Sequence, residues 1–146
     1  MCFRDESEIH PAFVQLGAQL QNGVVRGCTA KAVGVMRALG LLVHDYKTPE
    51  HTEMRRHLAQ LVQQHMHYLD TRRANSVSMV QAVRSLRINS LPYGTSELEA
   101  KALLAAATEV FLQKLEQDAQ SVALNLADKM APADTVLVYS LLVFIW

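Results

Sequence analysis

From Pro11 to Lys129 the apolar residues recur every three or four positions, and this period is interrupted only where Pro, Gly or a small polar residue stands. A period of about 3.6 residues with such punctuation dictates a set of amphipathic helices. His10 and Pro11 open the first helix, with Pro11 at its first position, where a missing N–H costs nothing. Phe13, Leu16 and Leu20 share its face, and Asn22 and Gly23 end it. A second helix is expected over residues 29–46. Its stripe of Val35, Leu39, Leu42 and Tyr46, flanked by Ala32, Met36 and Val43, is broad enough to be covered by more than one neighbour. Gly34 and Gly40 weaken this helix and mark places where another helix packs close.

Thr48 and Pro49 read as the N-cap and first residue of a third helix, which buries Met54, Leu58, Leu61, Val62, His65 and Leu69. Residues 72–76 break the pattern. Asn75 or Ser76 can cap a fourth helix carrying Val80, Val83 and Leu86. Pro92, Tyr93 and Gly94 form a turn, and Ser96 with Glu99 makes a capping box for a long fifth helix over residues 97–129. Leu104, Phe111, Leu115, Ala119, Val122 and Leu126 lie along one face of it. Residues 131–134 stop that helix, and the period then changes. Residues 135–139 are mostly β-branched or aromatic and run without alternation, as in a strand buried on both faces of a parallel sheet. The fold class expected is therefore mainly α. A disordered segment, residues 1–8, precedes a multi-helix bundle over residues 9–130. A single β-strand then begins, over residues 131–146, a truncated α/β domain, which the family resemblance described below implies is Rossmann-like.

The composition narrows the function. Fourteen basic residues balance fourteen acidic ones, so there is no broad field for nucleic acid or an anionic membrane. The apolar run over residues 136–146 is too short for a membrane span. Uncharged and without proline, it is expected to drive self-association unless covered. Cys2 and Cys28 are isolated, as free thiols in the cytoplasm would be. Residues 1–8 are polar and acidic with no apolar core, so no secretory signal is expected there.

Few residues have the spacing of a catalytic or metal site. His65 and His67 are two apart and point to different sides of a helix, and no His pairs with a carboxylate at metal-ligand spacing, so no metal site and no cofactor are expected. The Gly23 to Gly27 segment lacks the spacing of a phosphate loop and reads as a turn. His44 and Asp45 resemble half of a dyad without a nucleophile, and otherwise read as a helix C-terminus. Ser76 and Ser78 lie near no general base, so no catalytic residues are assigned. Arg72, Arg73, Arg84 and Arg87 offer two readings: a converging site for phosphate or an acidic loop, or separate solvated arginines.

Several segments, in order, resemble the regulatory subunits of translation initiation factor 2B, most of all the delta type. They are residues 9–17 with His10, Pro11 and Gly17; Gly23 to Gly27; and Ala38 and Leu39, with Asp45, Tyr46, Thr48 and Pro49 after them. Ser76, Ser78, Met79 and Ala82 resemble a second block, and residues 134–139 a third, the first strand of a Rossmann-like domain. Ala74 and Gln81 depart from that family, which usually has Pro and Asn there. The resemblance implies a non-catalytic regulatory subunit of a guanine-nucleotide exchange factor. Its partners would be the other subunits of initiation factor 2B and the alpha subunit of initiation factor 2, whose phosphorylation it would sense. The same architecture is similar to sugar-phosphate isomerases acting on methylthioribose phosphate or ribose bisphosphate, and an N-terminal fragment of such an enzyme is the alternative reading. The isomerases keep their catalytic residues in the second domain.

Overall fold

A computed structural model describes residues 6–135. All regular structure among them is helical: α1 (Pro11–Gln21), α2 (Cys28–Asp45), α3 (Met54–Arg72), α4 (Val77–Ser85) and α5 (Glu97–Lys129), with short 3-10 turns at Glu6–Glu8 and Ile88–Ser90. The strand expected over residues 135–139, and the self-association expected of residues 136–146, lie outside the described residues apart from Thr135, which is in no regular structure.

α2 is the centre of the bundle. It packs against α1, α4 and α5, while α3 packs against α1 and the Ile88–Ser90 turn. This is why α2 buries Ala32, Val35, Met36, Ala38, Leu39, Leu42 and Val43, a stripe wider than one neighbour would cover. The α1 face of Phe13, Leu16 and Leu20 fills the space between α2 and α3. Gly34 makes the α1–α2 approach possible, since a Cβ there would stand 2.9 Å from Leu16 Cδ1. Gly40 has no such role, because the nearest atom to a Cβ would be a Thr108 methyl at an ordinary 3.9 Å. Gly17 takes the other close approach: a Cβ would meet the Tyr68 ring at 3.1 Å and Arg72 Cγ at 3.3 Å, both on α3.

The third helix corrects one expectation. Thr48 and Pro49 do not start it. The helix begins at Met54, with Glu53 as N-cap accepting the Arg56 N–H at 2.9 Å. His51 adopts a left-handed backbone (φ 58°), which no helix running on from Pro49 tolerates. Residues 46–53 instead form a strap. The Thr48 N–H donates to Glu97 Oε2 at 2.7 Å, tying the strap to the first turn of α5.

The fourth helix corrects a second. Ser76 stands at its N-cap but does not cap it; its hydroxyl pairs with Ser78 Oγ at 2.8 Å, and Ser78 donates to the Cys28 carbonyl at 2.9 Å. The side chains that α4 buries are Met79 and Ala82, with Leu86 just past its end, whereas Val80 and Val83 are half-buried. The long fifth helix starts as expected, on a complete Ser96–Glu99 capping box. It buries only Ala100 and Leu104; Phe111, Leu112 and Leu115 lean on the core, and Val122 (55% exposed) and Leu126 (52%) face outward.

Candidate functional site

The residues singled out in the sequence fall into two places. The first is a shallow cleft where the start of α1, the end of α2 and the middle of α3 meet. It is lined by His10, Pro11, Asp45 and Tyr46, together with His57 and His65 of α3.

His10 organises this cleft. Its ring Nδ1 accepts the Ala12 N–H at 3.2 Å and so caps α1. The proton then sits on Nε2, which donates to Asp45 Oδ2 at 3.1 Å. Asp45 Oδ1 accepts from His44 Nδ1 at 2.8 Å. These two imidazoles, His44 first, hold the Asp45 carboxyl below the usual carboxylate range. Behind His10 lies His65, 1% exposed. Its Nδ1 donates to the Leu61 carbonyl at 2.7 Å, leaving Nε2 to accept the His10 backbone N–H at 2.9 Å. Burial pushes the His65 pKa down, as it does for any imidazole whose cation would lose its water. Tyr46 closes the rim, with its hydroxyl 3.0 Å from His57 Nδ1. No spacing rule pairs His10 with Asp45 across 35 positions or with His65 across 55, so only packing brings these three together. No group of three or more His, Cys, Asp or Glu residues suited to a metal occurs among the described residues.

The remaining motif positions have local roles. Gly23 and Gly27 take positive φ in the α1–α2 connection, and Arg26 donates to the Gly23 carbonyl. Ser76 and Ser78 join the start of α4 to the start of α2 through the Cys28 carbonyl, and Met79 is buried beside them.

The second place is the α3–α4 connection with the far end of α4. Arg73 donates to the Leu20 carbonyl at 3.3 Å, and the Arg72 guanidinium lies 5.1 Å from the Tyr68 ring centre. Asn75 secures the connection through the Met66 carbonyl and Asp70. Arg84 stands in the last turn of α4, and Arg87 lies past its end in a left-handed conformation (φ 49°); both are exposed. The nine residues of α4 rise about 13 Å, so Arg72 and Arg73 are at one end of that helix and Arg84 and Arg87 at the other.

A helical module of this kind is found among known proteins. The chain matches the Initiation factor 2 subunit family over residues 24–142 and belongs to that family. It is similar to translation initiation factor eIF2B subunit delta of Schizosaccharomyces pombe, at 29% identity over 135 residues, covering 90% of this chain and 29% of that protein. The fold is that of the crystal structure of eIF2B delta from Chaetomium thermophilum, with a TM-score of 0.78 at 22% identity, over 84% of this chain and 46% of the other. It also matches a chain in the tetrameric eIF2B-beta2-delta2 complex from C. thermophilum, with a TM-score of 0.70 at 23% identity, over 78% of this chain and 38% of that one. The delta-type resemblance of the motif blocks therefore holds, and the chain spans less than half the length of each of these relatives. No helix among the described residues is long and apolar enough to cross a membrane.

Proposed function

We propose that this chain is the helical part of a delta-type regulatory subunit of the guanine-nucleotide exchange factor for initiation factor 2. It acts in the cytoplasm and does no chemistry itself. It assembles with other subunits of that factor and docks the alpha subunit of initiation factor 2, with binding that depends on phosphorylation. Residues 9–130 are the recognition unit, and residues 131–146 begin a second, Rossmann-like domain. The observation that carries this reading is the family match over residues 24–142. Arg84 and Arg87 support the docking role. They are exposed guanidinium groups at one end of α4, and guanidinium binds phosphate or carboxylate through paired, charge-assisted hydrogen bonds.

Co-expression of the full chain with the other regulatory subunits, and then binding to the phosphorylated and unphosphorylated alpha subunit, tests both parts. Co-purification with those subunits is expected, and its absence would overturn the assembly role. Arg84→Ala with Arg87→Ala is expected to weaken binding of the phosphorylated form by about tenfold or more. Unchanged affinity would place the docking surface elsewhere.

A further inference from the structure

The cleft at the start of α1 is built around a histidine that the docking function does not use. His65 is held from both sides. One ring nitrogen donates to Leu61 O, and the other accepts the backbone N–H of His10. That second bond fixes His10, whose own ring caps α1 and whose Nε2–H reaches Asp45 at the end of α2. One neutral imidazole thus staples the first turn of α1 to α3, and through His10 to α2.

We propose that this staple is an acid-sensitive latch: protonation of His65 at Nε2 breaks its bond to the His10 N–H and releases the start of α1 from the bundle. With a proton on Nε2, two N–H donors would face each other across the present 2.9 Å, and neither could be satisfied. The imidazolium would also be sealed against the Phe13 ring, 4.8 Å away, where water does not reach it. Moving the His10 backbone aside relieves both conflicts by opening His65 to solvent.

None of the groups that share the cleft with His65 is hydrogen-bonded to its Nε2 in place of the His10 N–H. From the chain before α1 come Glu8 and His10, from the end of α2 Asp45, Tyr46 and Lys47, and from α3 itself His57. Asp45 is already engaged by His10 and His44, and the Tyr46 hydroxyl lies against His57 and the Met54 carbonyl. The His65 Nε2 faces the backbone of His10, not a carboxylate.

The direction with pH is set by burial. His65 takes up a proton less readily in the bundle than in an open chain, where an imidazole titrates near about pH 6.5. In the interval between the lowered value and about 6.5, the open state binds the proton and the latched state does not. The latch is therefore at full strength above about pH 6.5 and weakens as the pH falls through that interval.

Amide hydrogen exchange of the full chain, corrected for the intrinsic pH dependence of exchange, reads this directly. Between about pH 7.5 and pH 5, protection over residues 9–14 is expected to fall by about tenfold or more, while protection at Leu39 and Leu69 in the core holds. His65→Gln keeps a donor and an acceptor but takes up no proton, and should abolish the fall. A fall that persists in His65→Gln would show that His65 is not its source and overturn the proposal. A fall shared equally by Leu39 and Leu69 would also overturn it, by showing global unfolding and not a local release. Should His65→Gln fail to fold, nitrogen NMR of the wild-type ring decides: Nε2 must be unprotonated at neutral pH and must gain its proton in step with the loss of His10 protection. If the two events occur at different pH values, the latch does not exist.

Discussion

Gly34 and Gly40 differ only in what stands opposite them, and this gives the clearest test at the level of single residues. Both are interior to α2, where Ala is favoured over Gly by about 1 kcal/mol. At Gly40 a methyl group meets nothing closer than 3.9 Å, so Gly40→Ala should gain most of that increment. At Gly34 the methyl group lands 2.9 Å from Leu16 Cδ1, and Leu16 is only 4% exposed, so the branch has little room to retreat. Gly34→Ala should gain nothing or lose stability, and Gly34→Val should lose more. Urea unfolding of the three variants checks this; equal gains at both glycines would mean that α1 and α2 can spread apart freely. Glu97 is a second such residue. Its carboxylate accepts the Thr48 N–H and pairs with Lys101 at 3.2 Å. The Thr48 contact first, and Lys101 after it, hold its pKa below the ordinary range. A lowered carboxylate contributes above its open-chain value, about pH 4.3, and the contribution is lost as the pH falls below that. Glu97→Ala should therefore free residues 46–53 at neutral pH, seen as faster proteolytic cleavage in that segment with the rest of the bundle intact. Unchanged cleavage would show that the strap is held by other contacts.

Among the elements, two helix starts with similar local signals adopt different structures. Ser96 and Glu99 form both halves of a capping box, with Ser96 Oγ accepting the Glu99 N–H at 3.2 Å and Glu99 Oε2 accepting the Ser96 N–H at 2.9 Å. Thr48 and Pro49 carry an equally good local signal, yet the chain spends them on a strap. The residues downstream make the difference. Ser96 is succeeded by an uninterrupted helical run, whereas residues 50–53 turn through the left-handed His51 before α3 can start. Ser96→Ala should cost about 1 kcal/mol, a shift of a few degrees in Tm for a chain of this size. Glu53→Ala should shorten α3 at its start, while Thr48→Ala should leave helix content unchanged by circular dichroism. A helix loss in Thr48→Ala would restore Thr48 as a cap.

For the whole molecule, the distribution of burial along α5 matters most. Past Leu115, only Ala119 and Ala123 among the described residues are even half-buried, so the distal half of this helix adds little to the bundle. A chain ending at residue 116 should therefore keep its Tm to within a few degrees. A fall of about 10 °C or more would mean that the distal half is folded against something that stabilises the bundle. Val122 and Leu126 are exposed and lie one helical turn apart on this half of α5.

Local sequence determined most of the element list. Capping residues, Pro at the first helical position and an apolar period are contained within a few neighbouring positions, and they located α1, α2 and α5 to within a residue or so. The order of the motif blocks was likewise sufficient to indicate the family. The tertiary structure decided three things. It chose which of two adjacent stripes α4 buries, because Met79 and Ala82 are the side chains that the bundle covers and Val80 is only half-covered. It turned Thr48 from a cap into a tether, because its N–H lies within reach of a carboxylate 49 positions away. It assembled His10, Asp45 and His65 from three parts of the bundle into one hydrogen-bonded chain. These outcomes depend on distances between segments far apart in sequence, and such distances are set by packing around α2 and are not encoded in any local pattern of residues.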